Sequence, residues 1–121
     1  MARDNHSSCS VGEMIFVVCG DQDLAKLNSI EMLDYGYNKE SSWQLIKIEG
    51  LTPRISPLVS ALTDVSILIM GGFDGREHLS DAFIYDFCAP AGQNSRQVIK
   101  QGSLKLMCQS NTIKTANGEV Q

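Results

Sequence analysis

Residues 66–75 read Ser66-Ile67-Leu68-Ile69-Met70-Gly71-Gly72-Phe73-Asp74-Gly75. A short apolar run, rich in branched side chains, is closed by two glycines and followed by Asp-Gly. Such a run fits a strand covered on both faces. The glycines permit a turn at positive φ, and Asp-Gly is a hairpin signal. Moving back 52 positions brings Ile15-Phe16-Val17-Val18-Cys19-Gly20 onto Ile67-Leu68-Ile69-Met70-Gly71-Gly72. The same shift places Leu27 on Leu79, and Leu33-Asp34 on Tyr85-Asp86. From the last glycine to the aspartate is 14 residues in both copies (20 to 34, 72 to 86). A shift of 53 then places Gln44-Leu45-Ile46-Lys47 on Gln97-Val98-Ile99-Lys100, and one of 106 places Gly12-Glu13 on Gly118-Glu119. The chain therefore reads as two copies of one unit and the start of a third.

Within each copy the pattern is β. Met14–Cys19 and Ser66–Met70 are the apolar strands. Leu27–Asp34 and Leu79–Asp86 are half-polar strands, and Trp43–Ile48 alternates weakly with Arg96–Lys100 as its counterpart. Ser7–Val11, Pro57–Leu62 and Thr112–Ala116 supply a further strand per copy. Turn-rich segments separate them: Val11-Gly12-Glu13, residues 71–75 and Asn117-Gly118. The rival reading is a helix over Asp21 to Leu33, whose apolar residues Leu24, Leu27, Ile30, Met32 and Leu33 fit helical spacing only in part. The matching segment from Phe73 to Tyr85 contains Gly75 and lacks that spacing. Four antiparallel strands in about fifty residues are the unit of a propeller blade. The expected class is all-β: a propeller fragment of two four-stranded antiparallel blades, residues 1–50 and 51–102, with residues 103–121 beginning a third.

Composition narrows the roles. At 121 residues the chain has the length of one small domain, and 43% hydrophobic with 20% charged residues argues against disorder. Ten Lys and Arg against 14 Asp and Glu give a net charge of −4, without a basic cluster. That balance is unsuited to nucleic acid or an anionic membrane. The longest apolar run, Met14 to Cys19, is far below the roughly 20 residues a bilayer requires. The polar start Met1-Ala2-Arg3-Asp4-Asn5-His6 is not a signal peptide, so the expected compartment is the cytoplasm. Asn5-His6-Ser7 is then a chance sequon. Cys9, Cys19, Cys88 and Cys108 form no C-x-x-C pair, and His6 and His78 stand in no ligand spacing with them. They read as small buried hydrophobes, with no metal or cofactor expected.

The second copy resembles a kelch repeat. The residues are Pro53-Arg54, the apolar strand closed by Gly71-Gly72 with Phe73-Asp74-Gly75, then Leu79-Ser80-Asp81, then Tyr85-Asp86. The first copy is degenerate: Cys19-Gly20 stands for the double glycine, Leu33 for the tyrosine, and no Asp-Gly follows. It keeps Leu27-Asn28-Ser29, Asp34 and Trp43, the last of which the second copy lacks. Gly20, Gly71, Gly72, Asp34, Tyr85, Asp86 and Trp43 read as structural. The glycines end inner strands in unusual turns. Trp43 and Tyr85 fill the wedge between neighbouring blades while their polar tips find partners, and Asp34 and Asp86 cap turns. A propeller closes with about 4–8 blades, and a repeat unit cannot bury its apolar face alone. The expectation is a fragment of a longer propeller, or a chain that completes itself by self-association through its open blade edges.

No catalytic constellation stands out. The glycine cluster lacks the Lys-Ser/Thr of a phosphate loop, and no Gly-x-Ser-x-Gly elbow occurs. Asp21, Asp23 and His78 read as solvated loop residues. Some kelch proteins are copper oxidases with tyrosine and histidine ligands; Tyr35, Tyr37 and Tyr85 form no such pattern with two histidines. The resemblance instead implies a non-catalytic protein–protein interaction module, such as a substrate-recognition adaptor. Carried over residue by residue, its partner-binding positions are Arg54, Ser56, Asn28, Ser29 and Ser80, and Arg3 and His6 stand near the equivalent start of the first copy. Arg54 has a second reading, as a brace against the adjacent blade. The alternatives are a propeller enzyme whose catalytic residues lie outside this chain and an actin-type scaffolding protein.

Overall fold

The computed structural model describes residues 2–36, 42–87 and 103–108, to which every structural statement below refers. Branched and aromatic side chains in alternation make the central strands, and Gly12 at φ +58° turns the first hairpin. In chain order the strands are β1 Ser7–Val11, β2 Met14–Val18, β3 Asp21–Gln22, β4 Ala25–Lys26, β5 Ser29–Asp34, β6 Gln44–Lys47, β7 Leu58–Thr63, β8 Ser66–Phe73, β9 His78–Asp86 and β10 Ser103–Cys108. One four-stranded sheet has the order β1-β2-β5-β6 and the other β7-β8-β9-β10, antiparallel throughout. The protein is thus all-β, and among the described residues no helix is long and apolar enough to cross a membrane.

One expectation holds against its rival and one changes. The segment from Asp21 to Leu33 holds no helix: β3 and β4 form a small hairpin whose corner residues Asp23 (φ +50°) and Leu24 (φ +74°) are both left-handed, and β5 follows. The polar start of the segment leaves too narrow an apolar stripe for a helix to bury. Ser103–Cys108, expected to open a third unit, is instead the fourth strand of the second sheet. Its Leu104 and Leu106 lie opposite Tyr85 and Phe83, extending the apolar face of β9. Arg96–Lys100, Thr112–Ala116 and Asn117-Gly118 lie outside the described residues.

The repeat is written into the backbone. Asn5, Cys19 and Gly20 have φ values of 55°, 61° and 101°; Ser56, Gly71 and Gly72, at the corresponding places, have 52°, 62° and 106°. Asp4 bridges Asp21 and Ile55 bridges Phe73, each pair exchanging both backbone hydrogen bonds at 2.8–3.0 Å. Two of these positions admit only glycine. A Cβ on Gly20 would lie 2.5 Å from the Asp4 carbonyl oxygen, and one on Gly72 would lie 2.7 Å from that of Ile55.

Register decides which side chains form the core. Met14, Phe16 and Val18 share one face with Ile30, Met32 and Ile46, and all are buried. In the second sheet the other parity is buried: Ile67, Ile69, Phe83 and Tyr85. The sheets therefore pack with unlike faces together. Phe16 meets Phe87 at 4.8 Å between ring centroids, and the buried set joins both sheets in one cluster. The apolar strands are consequently covered fully on one face and in part on the other, since Ile15, Val17 and Leu68 are only half-buried.

Gly72→Ala is expected to lower the unfolding free energy by about 2–3 kcal/mol, from strain at positive φ plus overlap with the Ile55 carbonyl. Gly12→Ala, where a Cβ meets nothing within 4 Å, should cost about 1 kcal/mol. Urea denaturation of the two variants side by side measures the difference.

Candidate functional site

One end of both sheets gathers the ends of β2 and β8, the starts of β5 and β9, and the connection from Ile48 to Pro57. Arg54 lies at its centre with 0% exposure. Its Nη1 and Nη2 donate to the Asp81 carboxylate oxygens at 2.6 and 3.0 Å, Nη1 donates also to the Gly71 carbonyl at 3.0 Å, and Nε to that of Thr52 at 2.9 Å. The guanidinium carbon stands 5.7 Å from the centroid of the Phe83 ring. A planar fork matched to a carboxylate in this way is the geometry in which arginine tolerates burial. The main chain of Arg54 reaches the first sheet: its N–H donates to Leu27 at 3.1 Å, and its carbonyl accepts from the Gly20 N–H at 2.9 Å.

Arg3 repeats the device in the first sheet. Nη1 donates to the carbonyls of Cys19 at 2.8 Å and Ser29 at 3.1 Å, and Nη2 donates to Ser29 Oγ at 3.1 Å and Glu31 Oε2 at 2.7 Å. Glu31 is 7% exposed in a strand otherwise apolar at that level. Arginine thus ties the chain entering each sheet to the middle of that sheet.

The expected partner-binding residues all fall at this end, in different roles. Arg54 is a brace: every nitrogen of its guanidinium has an acceptor within the protein. Ser29 is 5% exposed and bonded to Arg3. Asn28 Nδ2 donates to the carbonyls of Ile48 at 3.0 Å and Leu51 at 3.2 Å, which fixes the connection between the sheets. Ser56 and Ser80 are exposed. Among the residues expected to be structural, Asp34 Oδ1 accepts from the Gly36 N–H at 3.2 Å as a turn cap, and Asp86 is half-buried. Tyr85 is 1% exposed, but among the described residues its hydroxyl has no hydrogen-bond partner, and burial pushes the phenol up to about 12. Trp43, expected in the wedge between units, is 47% exposed on the outer face of the first sheet.

Two open hollows flank the braces. One, of about 480 Å³, is lined by Ile55, Ser56, Gly72, Phe73, His78 and Leu79, with the Phe73 and His78 rings 5.1 Å apart. The other, of about 380 Å³, is lined by Ala2, Arg3, His6, Val17, Glu31 and Trp43. The β3–β4 hairpin stands beside the first: Lys26 Cε lies 3.2 Å from where a Cβ on Gly75 would be. Leu24 at its tip is 96% exposed. Sequence reasoning did not single out Leu24, because an exposed turn leucine has no periodic signature. Glu31 and Asp81 had a usable signal, an acidic residue inside an apolar strand.

Burial shapes the chemistry here. Cys19 is 0% exposed and its thiol is pushed up to about 11 by desolvation, against the opposing pull of Arg54 and Arg3. Burial also raises the Cys9 thiol, and both cysteines are free. Among the described residues no three His, Cys, Asp or Glu side chains are placed to hold a metal ion. No protein-family model matches the chain, and no curated protein matches it significantly.

Arg54→Ala is expected to cost about 3–5 kcal/mol in chemical denaturation, because it leaves the Asp81 carboxylate without its counter-charge in a low-dielectric site. The double variant Arg54→Ala/Asp81→Ala should lose less than the sum of the singles. Cys19 should resist alkylation by iodoacetamide at pH 8 in the folded protein and react after unfolding, since a raised pKa and full burial both withhold the thiolate. Peptide mass mapping reads the site.

Proposed function

We propose that this chain is a non-catalytic protein-recognition module made of two kelch-type propeller blades, working as a substrate-recognition adaptor does. Supporting the kelch reading are the repeated meander sheets, the paired positive-φ residues closing β2 and β8, and the Pro-Arg segment before β7. The recognition reading rests on one observation. Exposed Ser56 and His78 line an open hollow at the end where the buried arginines lie, with exposed Ser80 next in sequence to its Leu79 and the β3–β4 hairpin, tipped by exposed Leu24, at the same end.

Leu24 adds weight to that reading. A leucine in the left-handed region costs about 1–2 kcal/mol relative to glycine, and this one recovers nothing by burial. Strain kept at an exposed apolar tip is of the kind found where a side chain is presented to a partner. Displayed on a two-residue turn, Leu24 offers an apolar anchor at small entropic cost to the complex.

Selecting a random peptide library on the immobilised chain tests the proposal. Recovered peptides should lose at least about tenfold in affinity with Leu24→Gly or Ser80→Lys, roughly the worth of one good contact. Leu24→Gly should at the same time raise folding stability by about 1 kcal/mol, by relieving the strain. Failure to recover any peptide, or peptides indifferent to both changes, would overturn recognition at this end.

A further inference from the structure

Several of the contacts that join the two units have counterparts by the repeat. In the first unit, Gly20 and Leu27 form a seat for the chain at Arg54, through the Gly20 N–H and the Leu27 carbonyl. By the repeat, the same seat in the second unit is made by Gly72 and Leu79. Both line the 480 Å³ hollow, which is open. The segment equivalent to residues 53–55 is Ala2–Asp4, with Arg3 in the place of Arg54. That segment borders the 380 Å³ hollow on the first unit. Seat and occupant thus lie on different units.

The sheet faces obey the same logic. The first unit buries Phe16 and Val18 against the second; their equivalents Leu68 and Met70 are half-buried and 39% exposed. The second unit buries Ile67, Ile69 and Phe87, at 0%, 0% and 2%; their equivalents Ile15 and Val17 are half-buried and Tyr35 is 51% exposed. At the edge, Leu58 stands 57% exposed at the position equivalent to Ser7, whose hydroxyl donates to the Pro57 carbonyl across the junction. One kind of face is open on the second unit, and the kind that packs on it is open on the first.

We propose that a second copy of this chain docks head-to-tail on the first. The Ala2–Asp4 segment of the second copy takes the seat between Gly72 and Leu79, and its Ile15, Val17 and Tyr35 cover Leu68, Met70 and Leu58. The docking repeats the internal junction between different molecules, so it is heterologous: the two surfaces in contact are different, and each copy keeps one of each kind. Association therefore continues beyond a dimer, to a closed ring where the rotation permits. This inference stands on the repeat and not on recognition of a foreign protein.

Light scattering behind size exclusion, with sedimentation velocity, tests it. The unaltered chain should show a mass at least twice that of the monomer, growing with concentration. Met70→Glu destroys one surface and Val17→Glu the other, so each variant alone should be monomeric. Mixed in equal amounts they should form a one-to-one dimer and stop there, because one intact surface of each kind remains. Circular dichroism checks that both variants keep their strands; if either does not, Leu58→Glu and Tyr35→Glu replace them at more exposed positions. A monomeric unaltered chain, variants that still associate alone, or a mixture that stays monomeric would overturn the proposal. A monomer that still takes selected peptides at Leu24 would refute docking and leave recognition standing; an oligomer that takes none would do the reverse.

Discussion

A fully desolvated guanidinium holds the two sheets in register. Arg54 is placed by its side chain in the second sheet, through Asp81, Gly71 and Phe83, and by its main chain in the first, through Gly20 and Leu27. A charge taken out of water is tolerable only when its partners are fixed, so the surrounding chain has little freedom. The double glycine follows from this. Gly71 must offer its carbonyl to Arg54, and Gly72 must let the Ile55 strand pass close by. The first sheet meets the same demand with Arg3, Cys19 and Gly20, and divides the carboxylate's task between Ser29 and Glu31.

Much of this was legible in the sequence. The two apolar runs, their closing glycines and the spacing to Asp34 and Asp86 place seven of the strands within a few residues, because backbone needs at those points leave few choices of residue. Asn28, Ser29, Arg54, Ser56 and Ser80, scattered in the sequence, do gather at one end of the sheets. Their individual roles were not legible. Whether an arginine faces solvent or a buried carboxylate depends on a strand some 27 residues away, and local patterning holds no record of it. In the sequence, Ser103–Cys108 reads as part of a third unit for a related reason. What assigns Ser103–Cys108 to the second sheet is its pairing with β9 and the packing of Leu104 on the core, neither of which local patterning shows.

The same packing explains why the two copies look different in composition while sharing one backbone. Phe16 and Val18 are fully buried because the second sheet covers them; Leu68 and Met70 occupy equivalent positions under lighter cover. Trp43 belongs to the face of the first sheet that is not fully covered among the described residues, which accounts for its half-exposed ring. Residue type follows which neighbour is present, and backbone angle follows the repeat.

The way the strands succeed one another also sets an order of events in folding. Each sheet is a meander whose neighbours in space are nearly neighbours in sequence, so its hydrogen bonds close short loops and form early. Joining the sheets demands the dehydration of Arg54, which yields nothing until Asp81, Gly71 and Leu27 are all in position. Each sheet is accordingly a cooperative piece that gathers first, and the junction is a latch that shuts last and opens in a single act.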